Sequence, residues 1–199
     1  MKGVFCLEGF WYGDHRDRTS VVPIMEMANR YLNMPYIYHR CATVEEFTYS
    51  LERWKTKSFH KKYPILTLAF HGKKGQILIG KKSVSLDELA SILETKCEGV
   101  VIYFGSCETM NVSKRKLQSF MEKTRTIAVL GYKQEVDWLK SAAFEIQLLG
   151  NFLAHLFDTQ GNKKIMAEIN ATGKYYIQQL DFRMEINERV TFRRSRIKK

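Results

Sequence analysis

No apolar run in this chain approaches the roughly 18 residues that a membrane-spanning helix requires, so no membrane partner is expected. The four cysteines, at positions 6, 41, 97 and 107, form no CxxC pair and no metal-like cluster. Nothing resembling a secretory signal precedes them, because Glu8 interrupts the short apolar start. Free thiols in a reducing cytoplasm are the expectation, and no metal. His15, His60 and His155 show no zinc-like spacing with cysteine or aspartate. No GxxxxGKS/T or GxGxxG motif follows a strand, so Gly72, Gly75 and Gly80 make no phosphate loop and no cofactor is expected. Repeats, low-complexity stretches and convincing linkers are also missing from the 199 residues. One domain over residues 1–199 is the simplest organisation for that length.

Acids are missing from one place in particular. The segment RVTFRRSRIKK, residues 189–199, holds six of the 32 lysines and arginines and no aspartate or glutamate. Much of the formal charge of +11 is therefore a basic tail. Such a tail binds phosphate backbones or anionic lipid through counterion release but has no base-reading geometry of its own; a solvated or partner-docking tail is the favoured reading over nucleic acid. The remainder, 45% hydrophobic and 27% charged, has the composition of a folding globular chain.

Hydrophobic periodicity alternates strands with helices. Lys2 to Leu7 reads as a buried strand, and a polar loop, GFWYGDHRDRTS, follows it. Thr19 or Ser20 is placed to cap a helix running to about Leu32, with Pro23 in its first turn. A brief strand covers Tyr36 to Tyr38. Thr43 with Glu46, and Ser85 with Glu88, each match a capping box that opens a helix. Between those helices lie a basic loop, KTKSFHKK, a strand from Pro64 to Phe70, and a hairpin through QILIG and KKSVS that turns at Gly80. Gly99 to Phe104 and Thr126 to Leu130 read as strands, Val112 to Lys123 and Ser141 to Phe157 as helices. KYYIQQLDFRMEI alternates like a strand but also admits one helix. This order predicts a three-layer α/β/α sandwich with a mainly parallel central sheet, because parallel strands need crossovers and are buried on both faces.

Two apolar strands each deliver one reactive side chain where they stop: YPILTLAFHG brings His71 and GVVIYFGSCETM brings Cys107, 36 residues later. Parallel strands end on one side of a sheet, and binding sites collect there. Neighbouring strands lie about 4.8 Å apart, so both side chains can reach one carbonyl. A thiolate is a strong nucleophile, and an imidazole titrating near neutrality can take its proton or protonate a leaving amine. The amides of Gly72 and Cys107 are placed to form an oxyanion hole, and Gly105 with Ser106 permits a tight turn that exposes the sulfur. Cys6 and Cys97 are expected to pack as small hydrophobes and Cys41 to be structural. Trp11, Tyr12, Trp54 and Trp138 read as scattered core or rim aromatics.

At these residues the sequence resembles the caspase-like cysteine peptidases of clan CD, and within them the CHAT domains. LAFHG and IYFGSCETM carry the resemblance, and the run Ser106 to Thr109 is similar to the Ser-Ala-Cys-Glu-Thr-Ala pattern of many CHAT domains. The resemblance covers roughly residues 1–157 in element order. It implies a caspase-like fold, Cys107 as nucleophile, His71 as general acid/base, and the Gly72 and Cys107 amides on the oxyanion. It also implies a peptide or protein substrate, a separate activating protein, and a substrate pocket near TIAVLGYKQEVDW, with Glu135 or Asp137 as an acidic floor for arginine or lysine. It makes Ser106 a substrate-contact candidate by position, although Gly-Ser stands before the cysteine where the family often has Ser-Ala or Gln-Ala, a departure that counts against that contact. Asp14, in a loop that also carries Arg16, Asp17 and Arg18, is another. Two other readings remain open at the level of sequence: a catalytically idle caspase-like interaction module in a prokaryotic defence or signalling system, and a nucleic-acid-binding α/β protein that uses the basic tail.

Overall fold

The inner strands of the central sheet are buried at every position, and successive residues point to opposite faces, each covered by helices. The computed structural model describes residues 2–12 and 16–190. In chain order the first half contains β1 (Val4–Glu8), α1 (Val22–Leu32), β2 (Tyr36–Arg40), α2 (Val44–Trp54), α3 (Lys57–Lys62) and β3 (Ile65–Ala69). The hairpin region follows as β4 (His71–Lys73), β5 (Gln76–Ile79) and β6 (Lys82–Ser85), leading into α4 (Leu86–Leu93). The second half contains β7 (Val101–Phe104), α5 (Lys114–Thr124), β8 (Ala128–Tyr132), α6 (Trp138–Ala154), α7 (Thr159–Thr172), α8 (Lys174–Leu180) and β9 (Phe182–Ile186).

Six strands form one sheet in the order β2-β1-β3-β7-β8-β9, and β9 alone runs antiparallel, against β8. Val4, Cys6, Ile65, Val101, Tyr103 and Leu130 face a layer made by α1, α6, α7 and α8. Their alternates Phe5, Leu7, Leu66, Ile102, Phe104 and Val129 face α2, α4 and α5. The three-layer α/β/α architecture follows. Each such side chain, once fully buried, contributes about 1.5–3 kcal/mol, so a one-residue slip of any strand would transfer a whole row to the wrong face. β4, β5 and β6 make a small antiparallel sheet whose Ile77, Ile79 and Val84 join the α2/α4/α5 core.

Local signals account for most element ends. Thr43 with Glu46 and Ser85 with Glu88 form complete capping boxes. The start of α1 differs: Val21 occupies the cap position without a side-chain bond, while Pro23 sits in the first turn. The basic loop 55–62 winds into α3, because Phe59 packs on the core and His60 is buried with Nδ1 3.2 Å from the carbonyls of Lys55 and Thr56. The ambiguous segment KYYIQQLDFRMEI is both things at once, α8 then β9, divided at Asp181, whose left-handed φ of 45° ends the helix. α7 follows a break at His155 and is capped by Asp158. Asp14 and residues 191–199 of the basic tail lie outside the described residues.

Glu8, which looked like an interruption, sits in β1 with no exposed surface. Four donors converge on its carboxylate: Tyr38 OH at 2.5 Å, Ser20 Oγ at 2.6 Å, Trp11 Nε1 at 2.7 Å and the Val21 amide at 2.8 Å. Arg40 Nη2 lies 3.8 Å away. Removing the acceptor strands all four donors and a nearby cation. Glu8→Ala is expected to cost about 3 kcal/mol or more in urea unfolding, a loss reserved for buried polar networks that lose one member; a cost below about 1 kcal/mol would mean the network carries little.

Candidate functional site

β3 and β7 are adjacent and parallel, with Leu68 opposite Phe104. The chain leaves β3 into Phe70 and His71, and leaves β7 into a turn that carries Cys107, so both residues sit beyond the carboxyl ends of neighbouring strands. His71 is itself the first residue of β4. The two strand ends touch through main chain: a Cβ on Gly72 would stand 2.2 Å from the Cys107 carbonyl oxygen and 2.6 Å from Thr109 Oγ1. Only hydrogen fits there. A second tie comes from Thr109, whose hydroxyl donates to the Gln76 carbonyl of β5 at 3.0 Å and lies 2.7 Å from Ser106 Oγ. Ser106 is buried and points into this tie, away from the surface. Glu108, between them, takes a left-handed φ of 57°, a conformation that costs energy for a non-glycine residue and tightens the turn.

His71 is exposed, and its Nε2 lies 2.6 Å from the Trp11 carbonyl oxygen. A carbonyl only accepts, so Nε2 carries the proton and Nδ1 holds the lone pair when the ring is neutral. The Trp11 indole meets the imidazole edge-to-face at 5.3 Å and Trp138 in the same manner at 4.8 Å.

Cys107 is half-buried, whereas Cys6, Cys41 and Cys97 are buried outright. Burial pushes the Cys41 thiol up to about 11 and the Cys97 thiol up to about 12, and raises Cys6 well above its ordinary range, so all three rest as inert thiols. Cys107 is raised as well, first by burial and then by the charges of Glu135 and Glu108. The Val136 amide donates to its sulfur and opposes the rise, and its own N–H acts in the same sense.

Beside the sulfur opens a narrow slot of about 50 Å³, walled by Trp11, Val136 and Trp138 and reaching Tyr132, Ser141 and Glu145. A larger hollow of about 310 Å³ between β2 and α2 shares no lining residue with it. Glu145 is the buried acid of the slot. Tyr103 OH donates to its Oε1 at 2.6 Å, Tyr132 OH lies 3.4 Å from the same oxygen, and the two hydroxyls are 2.8 Å apart. Burial holds its carboxyl up at about 7 even though both tyrosines pull it down. The two acids expected near a pocket floor stand elsewhere: Glu135 is exposed, and Asp137 caps α6 by accepting from the Lys140 amide at 2.8 Å. Sequence reading missed Glu145 because it stands within the apolar run of α6; a lone acid inside such a run was the available signal. Trp11 was missed too, since nothing local sets it apart from other aromatics.

Among the described residues no three His, Cys, Asp or Glu side chains gather to hold a metal, and no helix is long and apolar enough to cross a membrane. What the fold and site define is an α/β protein with a half-exposed thiol and an imidazole held at adjoining ends of parallel strands. Residues 1–185 match the model described as a family of unknown function (DUF6642), and the chain belongs to that family. No curated protein matches it.

Two outcomes follow from this geometry. Gly72→Ala should lower stability by about 1–3 kcal/mol, the usual cost of overpacking, and should push the Cys107 turn outward. Iodoacetamide then alkylates Cys107 faster than in the wild type, whereas an unchanged rate and melting temperature would contradict the close approach. For Glu145, the native state keeps its proton up to about pH 7, while the unfolded chain releases it near the ordinary glutamate value of 4.5. The native state binds more protons in that window, so this group's contribution falls as pH rises from about 4.5 to about 7, by about 3 kcal/mol, and stays flat above. Urea titrations at pH 5 and pH 8 should show that loss in the wild type and not in Glu145→Gln.

Proposed function

We propose that this protein is a caspase-like, CHAT-like cysteine endopeptidase that works through a Cys107/His71 dyad on a peptide or protein substrate. The observation that carries the reading is the contact of Gly72 with the Cys107 main chain, which joins the two reactive strand ends in one site. The sheet order and the small antiparallel sheet inserted after β3 support it. In the reaction, His71 takes the thiol proton and the Cys107 sulfur attacks the peptide carbonyl carbon. The oxyanion is met by the Gly72 and Cys107 amides. Collapse of the tetrahedral intermediate breaks the C–N bond, and His71 returns the proton to the leaving amine. Water, deprotonated by His71, then hydrolyses the thioester and restores the thiol. Trp11 acts as the positioning residue: its carbonyl fixes the imidazole tautomer and its ring buttresses the imidazole face.

The raised thiol of Cys107 gives the resting enzyme a low thiolate fraction, which supports control by a separate activating protein. The reading also carries a cytoplasmic setting, where a thiol nucleophile stays reduced. Its test is covalent labelling by a peptidyl acyloxymethyl ketone, located by peptide mass mapping. Wild-type protein should be labelled at Cys107, Cys107→Ala not at all, and His71→Ala at least about 100-fold more slowly, the scale of lost general acid–base catalysis. Labelling of Cys6 or Cys97 in place of Cys107, or an undiminished rate in His71→Ala, would sink the dyad.

A further inference from the structure

The slot next to Cys107 has the chemistry of a side-chain recognition site. Its walls are mostly aromatic and aliphatic, and its lining includes one buried carboxyl, the composition that suits an apolar stem with a cationic head. Both hydrogen bonds to Glu145 fall on Oε1, which leaves Oε2 as the acceptor available to a ligand. Ser141 adds a second acceptor: its hydroxyl lines the slot and spends its proton on the Trp138 carbonyl at 3.0 Å, so its lone pairs remain. The exposed Glu135 and the half-buried Glu108, close enough to raise the Cys107 thiol, bias the same mouth toward cations.

Shape and acceptor count separate the two basic side chains. A guanidinium is a planar fork that seeks two parallel acceptors on one carboxylate, and one oxygen of Glu145 is already taken by tyrosine. An ammonium is a compact point charge with three donors that a single carboxylate oxygen and a serine hydroxyl can satisfy. A volume of about 50 Å³ favours the more compact of the two heads. Trp11 and Trp138 would flank the stem with indole surface.

We propose that Glu145 is the specificity-determining residue of the Cys107 site, with its free Oε2 taking the ammonium of a lysine side chain presented on the acyl side of the scissile bond. This rests on the peptidase reading above. The test uses three peptidyl acyloxymethyl ketones that differ only in carrying lysine, arginine or leucine next to the ketone, with labelling of Cys107 timed by intact mass. The lysine probe should react at least about 10-fold faster than the arginine probe and about 100-fold faster than the leucine probe, the discrimination expected of a site built for one polar group. Glu145→Gln should bring lysine down to the leucine rate. Should that variant fail to fold, n-butylammonium must slow iodoacetamide alkylation of wild-type Cys107 while n-butanol at equal concentration does not. Arginine or leucine probes as fast as lysine, lysine preference retained in Glu145→Gln, or no protection by n-butylammonium would overturn the assignment while leaving the peptidase standing. Failure of all three ketones to label a Cys107 that iodoacetamide does alkylate would overturn the peptidase reading and this one together.

Discussion

A single buried carboxylate organises the approach to the site. Glu8 lies in β1 with no exposed surface, yet it collects donors from the loop after β1, from the start of α1 and from β2. The described residues of the loop form no helix or strand, and each donor that reaches Glu8 fixes a different stretch of chain relative to the sheet. Trp11 is the consequence that matters for chemistry. With its indole N–H on Glu8, its carbonyl meets His71 and its ring stands between the imidazole and Trp138. One side chain inside the sheet thereby sets the imidazole tautomer and one wall of the slot beside Cys107.

That dependence also explains what could be seen in the sequence. Strand positions were legible because period-two burial on both faces leaves unmistakable runs such as PILTLAF and VVIYF, and helix starts were legible where a capping box was written in four residues. The adjacency of the His71 and Cys107 strand ends followed from the same runs. Glu8 and Glu145 were opaque for one shared reason: a lone acid in an apolar segment reads as an interruption until its partners are known, and those partners, Tyr38 and Ser20 for one, Tyr103 and Tyr132 for the other, come from distant segments. α3 was hidden by its lysines, since charge masks the two residues, Phe59 and His60, whose burial winds the helix. The sequence marks Gly72 for its amide, but that it meets the Cys107 carbonyl itself is a tertiary fact.

The electrostatics of the site set a problem that its geometry answers. Burial, Glu135 and Glu108 all hold the Cys107 thiol above its ordinary range, and the lining of the neighbouring slot includes a further carboxyl. A nucleophile among acids is poorly prepared to ionise, and the Val136 amide offsets that only in part. A cation seated in the slot changes the balance. It stands among the lining groups that include the sulfur itself, and an opposite charge within a few ångströms favours the thiolate while it also favours ionised Glu145. Under the proposed reading, the lysine that satisfies Glu145 stands beside the sulfur and offsets part of the acid field around it, so substrate binding adds to the control exerted by a separate activating protein. The raised thiol keeps the empty enzyme quiet, and one of the groups that completes the electrostatics arrives with the peptide.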